Sequence, residues 1–127
     1  MALSKVLLIT PLAVTAYDAV ASLASLALGL PYTYAGIGSA IIYAALGFFA
    51  SSATGFASSI LVGVVAGLAD ATIGWGVSWA LGPGRPATGS LSMGQWFVAA
   101  SSVTIVAIIC ASIGGLIARL LHSRSVA

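Results

Sequence analysis

The sequence has 127 residues, of which 61% are hydrophobic and only 5% are charged. Soluble domains average about 45–50% apolar residues and about 25% charged residues. Two acids and four bases cannot cover the surface of a water-soluble globule, so the composition excludes a soluble enzyme and a nucleic-acid-binding module. The length allows one domain, and the composition predicts that residues 1–127 form a single integral membrane domain.

Four apolar stretches approach or exceed the roughly 20 residues that a helix needs to cross the hydrocarbon core. Thr10 and Pro11 suggest the start of the first helix, as its N-cap and first-turn residues. A stretch rich in glycine and proline before the last span predicts an irregular loop. The expected fold is an all-α bundle of four transmembrane helices, with spans at about 11–30, 32–51, 56–81 and 94–121.

The basic residues predict the orientation of these four spans. Lys5, Arg119 and Arg124 lie on the side of both termini, whereas Arg85 alone lies on the other side. Because basic residues concentrate in the cytoplasm, we expect a plasma (inner) membrane protein with both termini cytoplasmic. Aromatic and basic residues near the span ends are expected to anchor the bundle at the membrane interfaces: Tyr32, Tyr34, Trp75, Trp79, Trp96, Arg119 and Arg124.

The N-terminal stretch has a second interpretation. Lys5, an apolar run and the small residues around Ala16 also resemble a secretory signal peptide with its cleavage site. The apolar character continues to Leu30, which a cleaved signal does not require, and this favours a retained first span.

Two sequence features recur at the same spacing and suggest an internal repeat. Asp70 follows Asp18 by the same number of residues by which Pro83 follows Pro31. The pattern predicts two helical hairpins of like orientation, 11–51 and 63–121, related by an axis along the membrane normal. The two aspartates would then lie at similar depth and face each other.

Small residues spaced for close helix contact occur in the spans. Small residues on one helix face let backbones approach closely, which is how helices associate in lipid. We expect them to pack within one bundle, with an oligomer interface as the alternative. The expected packing residues are Ala21, Ser25, Gly29, Gly63, Gly67, Ala71, Ala111 and Gly115.

Asp18 and Asp70 are the only acidic residues, and both fall within spans. A charge there costs roughly 2.5–3.5 kcal/mol or more, so an intramembrane acid is a functional hypothesis by default. No span contains a Lys or Arg well inside it, so each aspartate is expected to be protonated or to face a cation, water or hydrogen-bond donors. Candidate donors are Ser22, Tyr17, Thr15, Thr72 and Tyr43. The structural alternative is a protonated aspartate that hydrogen-bonds across helices.

The remaining chemistry-bearing residues argue against an enzyme. Cys110 has no base in its span, and His122 is the only histidine, so neither a nucleophile–base pair nor a metal ligand set is visible. We therefore expect no catalytic residues, no metal and no cofactor.

The sequence thus predicts a small transporter or channel in which Asp18 and Asp70 bind protons or a cation. The alternatives are a non-catalytic accessory subunit of a larger membrane complex, and a pore-forming protein. The expected partners are the lipid bilayer and either further copies of the chain or a larger complex, with no nucleic acid.

Overall fold

The computed structural model describes residues 1–124, and all regular structure in that part of the chain is helical. A short 3₁₀ turn, Tyr32–Tyr34, precedes the second long helix, and a π-helical turn, Asp70–Gly74, interrupts the third span. The α-helices are α1 (Leu3–Leu28), α2 (Ala35–Thr54), α3 (Phe56–Ala69), α4 (Trp75–Leu81) and α5 (Met93–Arg124).

Four of the helical segments are long and apolar enough to cross a membrane. They are Leu3–Leu28, Tyr32–Thr54, Phe56–Leu81 and Met93–Arg124, with α3, the π-turn and α4 together forming the third. The chain is therefore an integral membrane protein with an all-α, four-span fold, which confirms the predicted fold class.

The first helix begins earlier than the sequence suggested. It starts at Leu3, so Pro11 lies inside it and Thr10 does not cap it. The Thr10 hydroxyl instead donates to the Val6 carbonyl at 2.8 Å, within the same helix. Transmembrane helices tolerate proline more readily than helices in water, because freed backbone groups can be satisfied within the protein. The expectation that the helix begins at Pro11 was wrong for this reason.

A glycine with a left-handed backbone ends α1. Gly29 has φ 65°, a conformation that costs glycine little, and Pro31 follows it. Gly29 was expected to pack against another helix, but it is exposed and nothing lies within 4 Å of the Cβ it lacks. The Ser25 hydroxyl, also assigned to packing, donates to the Leu30 carbonyl at 2.6 Å and ties down the same helix end.

The third span ends in a similar way. Gly82 has φ 115° and follows α4 directly, with Pro83 next. The first and third spans thus share a glycine–proline stop signal, while the internal repeat itself stays a prediction.

Close glycine contacts join α5 to α2. A Cβ at Gly47 would strike the Ala111 carbonyl, and one at Gly114 would strike the Ala44 carbonyl. The two backbones therefore touch directly at this level, as small residues allow in membrane helices.

The same helix packs against α3 through a second set of glycines. A Cβ at Gly63 would lie 2.6 Å from the Ile108 Cα, and one at Gly67 would strike Thr104. Gly115 packs on the buried Ser59 side chain. Gly63, Gly67, Gly115 and Ala111 thus meet other helices of their own chain.

After the π-turn, the third span is no longer packed against α5. In residues 1–124, α4 approaches α1, whereas no Cα atom of α4 comes within 8 Å of one in α5. The apolar core fills the other half of the bundle, on the side of the termini, and consists of Val6, Val14, Tyr43, Leu46, Ala50, Val62, Ala66 and Ala107. The bundle is therefore closed in one half and separates in the other.

We predict that Gly47→Ala lowers the free energy of unfolding by about 1–3 kcal/mol, because its Cβ has no room beside the Ala111 carbonyl. Gly36→Ala is the matched control on α2, since nothing lies within 4 Å of its Cβ and alanine favours a helix by about 0.5–1 kcal/mol. Thermal unfolding in detergent, followed by circular dichroism, compares the two. Equal melting temperatures for the two variants would contradict direct backbone contact between α2 and α5.

Candidate functional site

The two aspartates come together inside the bundle. Asp18 on α1 is 3% exposed, and Asp70, the first residue of the π-turn, is 6% exposed. Their carboxyl groups lie within hydrogen-bonding range of each other, so one proton between them can join the two. Each lies roughly 15–16 Å from the end of its span at the 82–92 loop, by a rise of about 1.5 Å per residue, which is near the middle of a hydrocarbon core about 30 Å thick.

Gly74 makes this approach possible. The Asp18 Oδ2 atom occupies the place where a Cβ at Gly74 would be, and the Asp70 Oδ1 atom lies 3.2 Å from that same position. Any larger residue at this point would displace Asp18. The π-turn carries both Asp70 and Gly74, and single π-turns inside helices often mark functional sites.

Two tyrosine hydroxyls donate to the aspartates. The buried Tyr43 hydroxyl donates to Asp70 Oδ2, and the Tyr32 hydroxyl donates to Asp18 Oδ1 at 3.4 Å. Tyr43 was among the donors named from the sequence. Tyr32 was expected to be an interfacial anchor, but it contacts the site. Tyr17, another candidate donor, instead donates to the Ala35 carbonyl at 2.7 Å.

The other candidate donors do not complete the site. Thr72 donates to the Leu68 carbonyl at 2.6 Å, on its own helix. Asp18 Oδ2 and Ser22 Oγ are buried without a hydrogen-bond partner among residues 1–124. A buried polar group left unsatisfied costs about 1–3 kcal/mol. The residues present therefore leave part of the hydrogen-bonding capacity of Asp18 unused.

A cavity of about 360 Å³ lies beside the pair, and we call it the aspartate cavity. Its size falls within the roughly 300–1,000 Å³ range of small-molecule sites. It occupies the half of the bundle in which α4 and α5 separate. Its lining residues are Asp18, Tyr32, Thr33, Ala35, Gly36, Ser39, Tyr43, Asp70, Trp75, Ser102, Val103 and Val106.

The basic side chains lie at the span ends, away from the pair. Arg85 is exposed and its Nε donates to the Trp79 carbonyl at 2.7 Å. Arg119, also exposed, has its guanidinium carbon 5.9 Å from the centre of the Phe56 ring. Lys5 and Arg124 are exposed near the two ends of the described chain.

The aromatic residues divide into two groups. Tyr34 is 62% exposed, and Trp96 is partly exposed at the start of α5, as an interfacial position requires. Trp75 stacks on Trp79 at 6.0 Å between ring centres, and it also lines the aspartate cavity. Trp75 was expected to be an interfacial anchor because of its position near a span end, and the structure places it on the cavity wall as well.

The small residues assigned to α1 and the π-turn have different surroundings. Ala71 is 1% exposed, beside Asp70 in the π-turn. Ala21 is half-buried and lines a second cavity, near Pro31 and Tyr34.

Comparison with models of known protein families, with curated proteins and with solved structures finds no match for this chain. The geometry of the site is therefore the basis for proposing a function.

We predict that Gly74→Ala destabilises the protein and that Asp18→Ala reduces this effect. The Cβ introduced by Gly74→Ala would meet the Asp18 carboxylate, so removing that carboxylate should lower the cost of the added methyl group. A double-mutant cycle in detergent should give an interaction energy of at least about 0.5 kcal/mol. Gly76→Ala is the control, because its Cβ meets nothing within 4 Å. Purely additive effects of Gly74→Ala and Asp18→Ala would contradict the close contact.

Proposed function

We propose that this protein is a small cation-linked transporter or channel in which Asp18 and Asp70 bind protons or a cation. The observation that carries the proposal is the meeting of the only two acids, from separate spans, at mid-depth beside one cavity. Intramembrane carboxyl groups of this kind typically mark ion pathways or proton relays.

The pair has chemistry suited to exchange. Two carboxyl groups at hydrogen-bonding range titrate as a unit, so their protons belong to the pair and not to either residue. When both groups lose their protons, two negative charges lie in a cavity far from every basic side chain. An incoming cation compensates that charge, and an incoming proton does the same. Binding of one therefore favours release of the other.

Access to the pair is one-sided in this conformation. The aspartate cavity extends toward Tyr32, Thr33 and Trp75, in the half of the bundle near the 82–92 loop. The apolar core that includes Val14 and Leu46 fills the half toward the termini. A carrier must open to each side in turn, and in the cycle that we propose this conformation is the one open toward the loop side.

We further propose a plasma (inner) membrane location with both termini in the cytoplasm. The support is the excess of basic residues on the side of the termini. In this orientation the aspartate cavity opens toward the outside of the cell.

In the accessory-subunit alternative, the chain would pack against a larger partner through its glycine and alanine faces. Gly63 and Gly67 are covered by α5 of the same chain, so they are not available to a partner. The observed packing therefore favours the transporter proposal over this version of the alternative.

We predict that proteoliposomes containing the protein take up protons under an imposed membrane potential, as reported by a trapped pH-sensitive dye. The double variant Asp18→Asn/Asp70→Asn should reduce the flux at least tenfold, because the amides keep the shape of the pair and cannot carry the proton. The single variants show whether one carboxyl group suffices.

Ser52→Ala is the matched control, since Ser52 is exposed on α2 and donates only to the Phe48 carbonyl of its own helix. Its flux should equal that of the wild type. Circular dichroism must show that the asparagine variants remain folded. Equal flux in the wild type and the double variant, or no flux in either, would refute the proposal.

We predict that a thiol introduced by Ala87→Cys in the exposed loop reacts with a membrane-impermeant reagent in intact cells, in a Cys110→Ala background. Ser123→Cys, near the end of α5, should react only after permeabilisation, because we place the termini in the cytoplasm. The reverse labelling pattern would invert the proposed orientation.

A further inference from the structure

Residues of both α2 and α5 line the aspartate cavity. The two backbones touch where Gly47 meets Ala111. The lining includes Gly36 and Ser39 on α2, and Ser102 and Val106 on α5. Gly36 is exposed and nothing lies within 4 Å of its Cβ position, so this edge of the cavity is open.

The walls are largely apolar, and the acids lie together at one end. Val103, Val106, Ala35 and Gly36 provide aliphatic or bare backbone surface. Trp75 adds an indole that also stacks on Trp79. Such a lining suits a ligand with a substantial apolar body and a positive charge.

The lining fits a bare metal ion poorly. In the described part of the chain, no three His, Cys, Asp or Glu side chains come together. Hard cations such as Ca²⁺ take about six to eight oxygen ligands. Tyr32 and Tyr43 already direct their hydroxyl protons at the carboxyl groups, which leaves few free oxygens. A proton alone, in turn, needs no cavity of about 360 Å³.

We propose that the aspartate cavity binds a lipophilic monovalent organic cation, which enters from the bilayer through the gap between α2 and α5. This inference rests on the proposed function and names the substrate class of the same site. The Asp18–Asp70 pair, which lines the cavity, neutralises the charge of the ligand.

The chemistry of binding follows from the lining. A quaternary ammonium group cannot donate a hydrogen bond, so it gains from a carboxylate and from aromatic faces. Trp is the best of these aromatic partners for a cation, and Trp75 lies on the cavity wall. The apolar groups of the ligand pack against Val103 and Val106 and leave lipid for a similar apolar environment.

Lateral entry is supported by cavity-lining residues that are also exposed on the outside of the bundle. Gly36, Ser102 and Val106 line the cavity and are also exposed on the outside of the bundle, with Val106 49% exposed. Val106 lies roughly 20 Å along α5 from Met93, so this exposed edge is within the hydrocarbon core. A lipophilic cation that partitions into the bilayer can therefore enter from the side.

The first test is equilibrium binding of radiolabelled benzyltriethylammonium to the protein in lipid nanodiscs. We expect saturable binding of one ligand per chain, with affinity at least tenfold lower in Asp18→Asn/Asp70→Asn. Trp75→Leu should weaken binding about three- to tenfold. The uncharged analogue N,N-diethylbenzamide should not compete, because it does not neutralise the carboxylates.

The second test addresses the route of entry. Val106→Trp fills the gap between α2 and α5 and should slow ligand association at least tenfold. Ile105→Trp is the matched control, since Ile105 is 57% exposed on the same helix and does not line the cavity. Equal association rates for the two variants would overturn lateral entry.

One contrary result is equal binding of the probe to the wild type, the double asparagine variant and empty nanodiscs. That result would mean that the probe only partitions into lipid, and it would overturn the inference. Displacement of protons by Na⁺ or Ca²⁺, with no binding of the organic probe, would also overturn it and assign the site to a metal ion. Either result together with aspartate-dependent proton flux would leave the proposed function standing. Saturable, aspartate-dependent binding without any flux would instead refute transport and retain the ligand site.

Discussion

The structure depends on one electrostatic constraint, which is the burial of two carboxyl groups at mid-membrane depth with the basic side chains at the span ends. Neither carboxyl group can stay ionised without a compensating partner, because a charge in lipid costs several kcal/mol. Tyr43 and Tyr32 each donate to one carboxyl group, and the pair can share a proton. Gly74 gives the space that lets the two groups meet. The π-turn, the two tyrosines and the cavity all help to accommodate the two buried carboxyl groups.

Helix packing explains why the pair lies at a boundary between closed and open halves. On one side, glycines such as Gly47 and Gly63 bring α5 into backbone contact with α2 and α3. On the other side, the π-turn directs the third span toward α1 and away from α5. Asp70 stands at the start of that turn, so the carboxyl group and the point of divergence are the same place in the chain.

The sequence predicts the apolar spans well because twenty apolar residues in a row have few alternatives to a membrane helix. It also singles out both aspartates, since acids within spans are rare. It fails where the outcome depends on helix rotation or on neighbours. Tyr32 and Trp75 near span ends are typical of interfacial anchors, and nothing local shows that they turn inward. Pro11 suggested a helix start because a helix in water rarely continues through a proline.

The π-turn links the aspartate pair to backbone geometry at the level of single atoms. Asp18 Oδ2 fills the space left by the missing Cβ of Gly74, and it is also the carboxylate oxygen without a partner. A displacement of this oxygen would therefore change the packing of the π-turn, which is the segment that leads from α3 into α4. The aspartate pair and the separation of α4 from α5 thus share one contact, which the missing side chain of Gly74 makes possible.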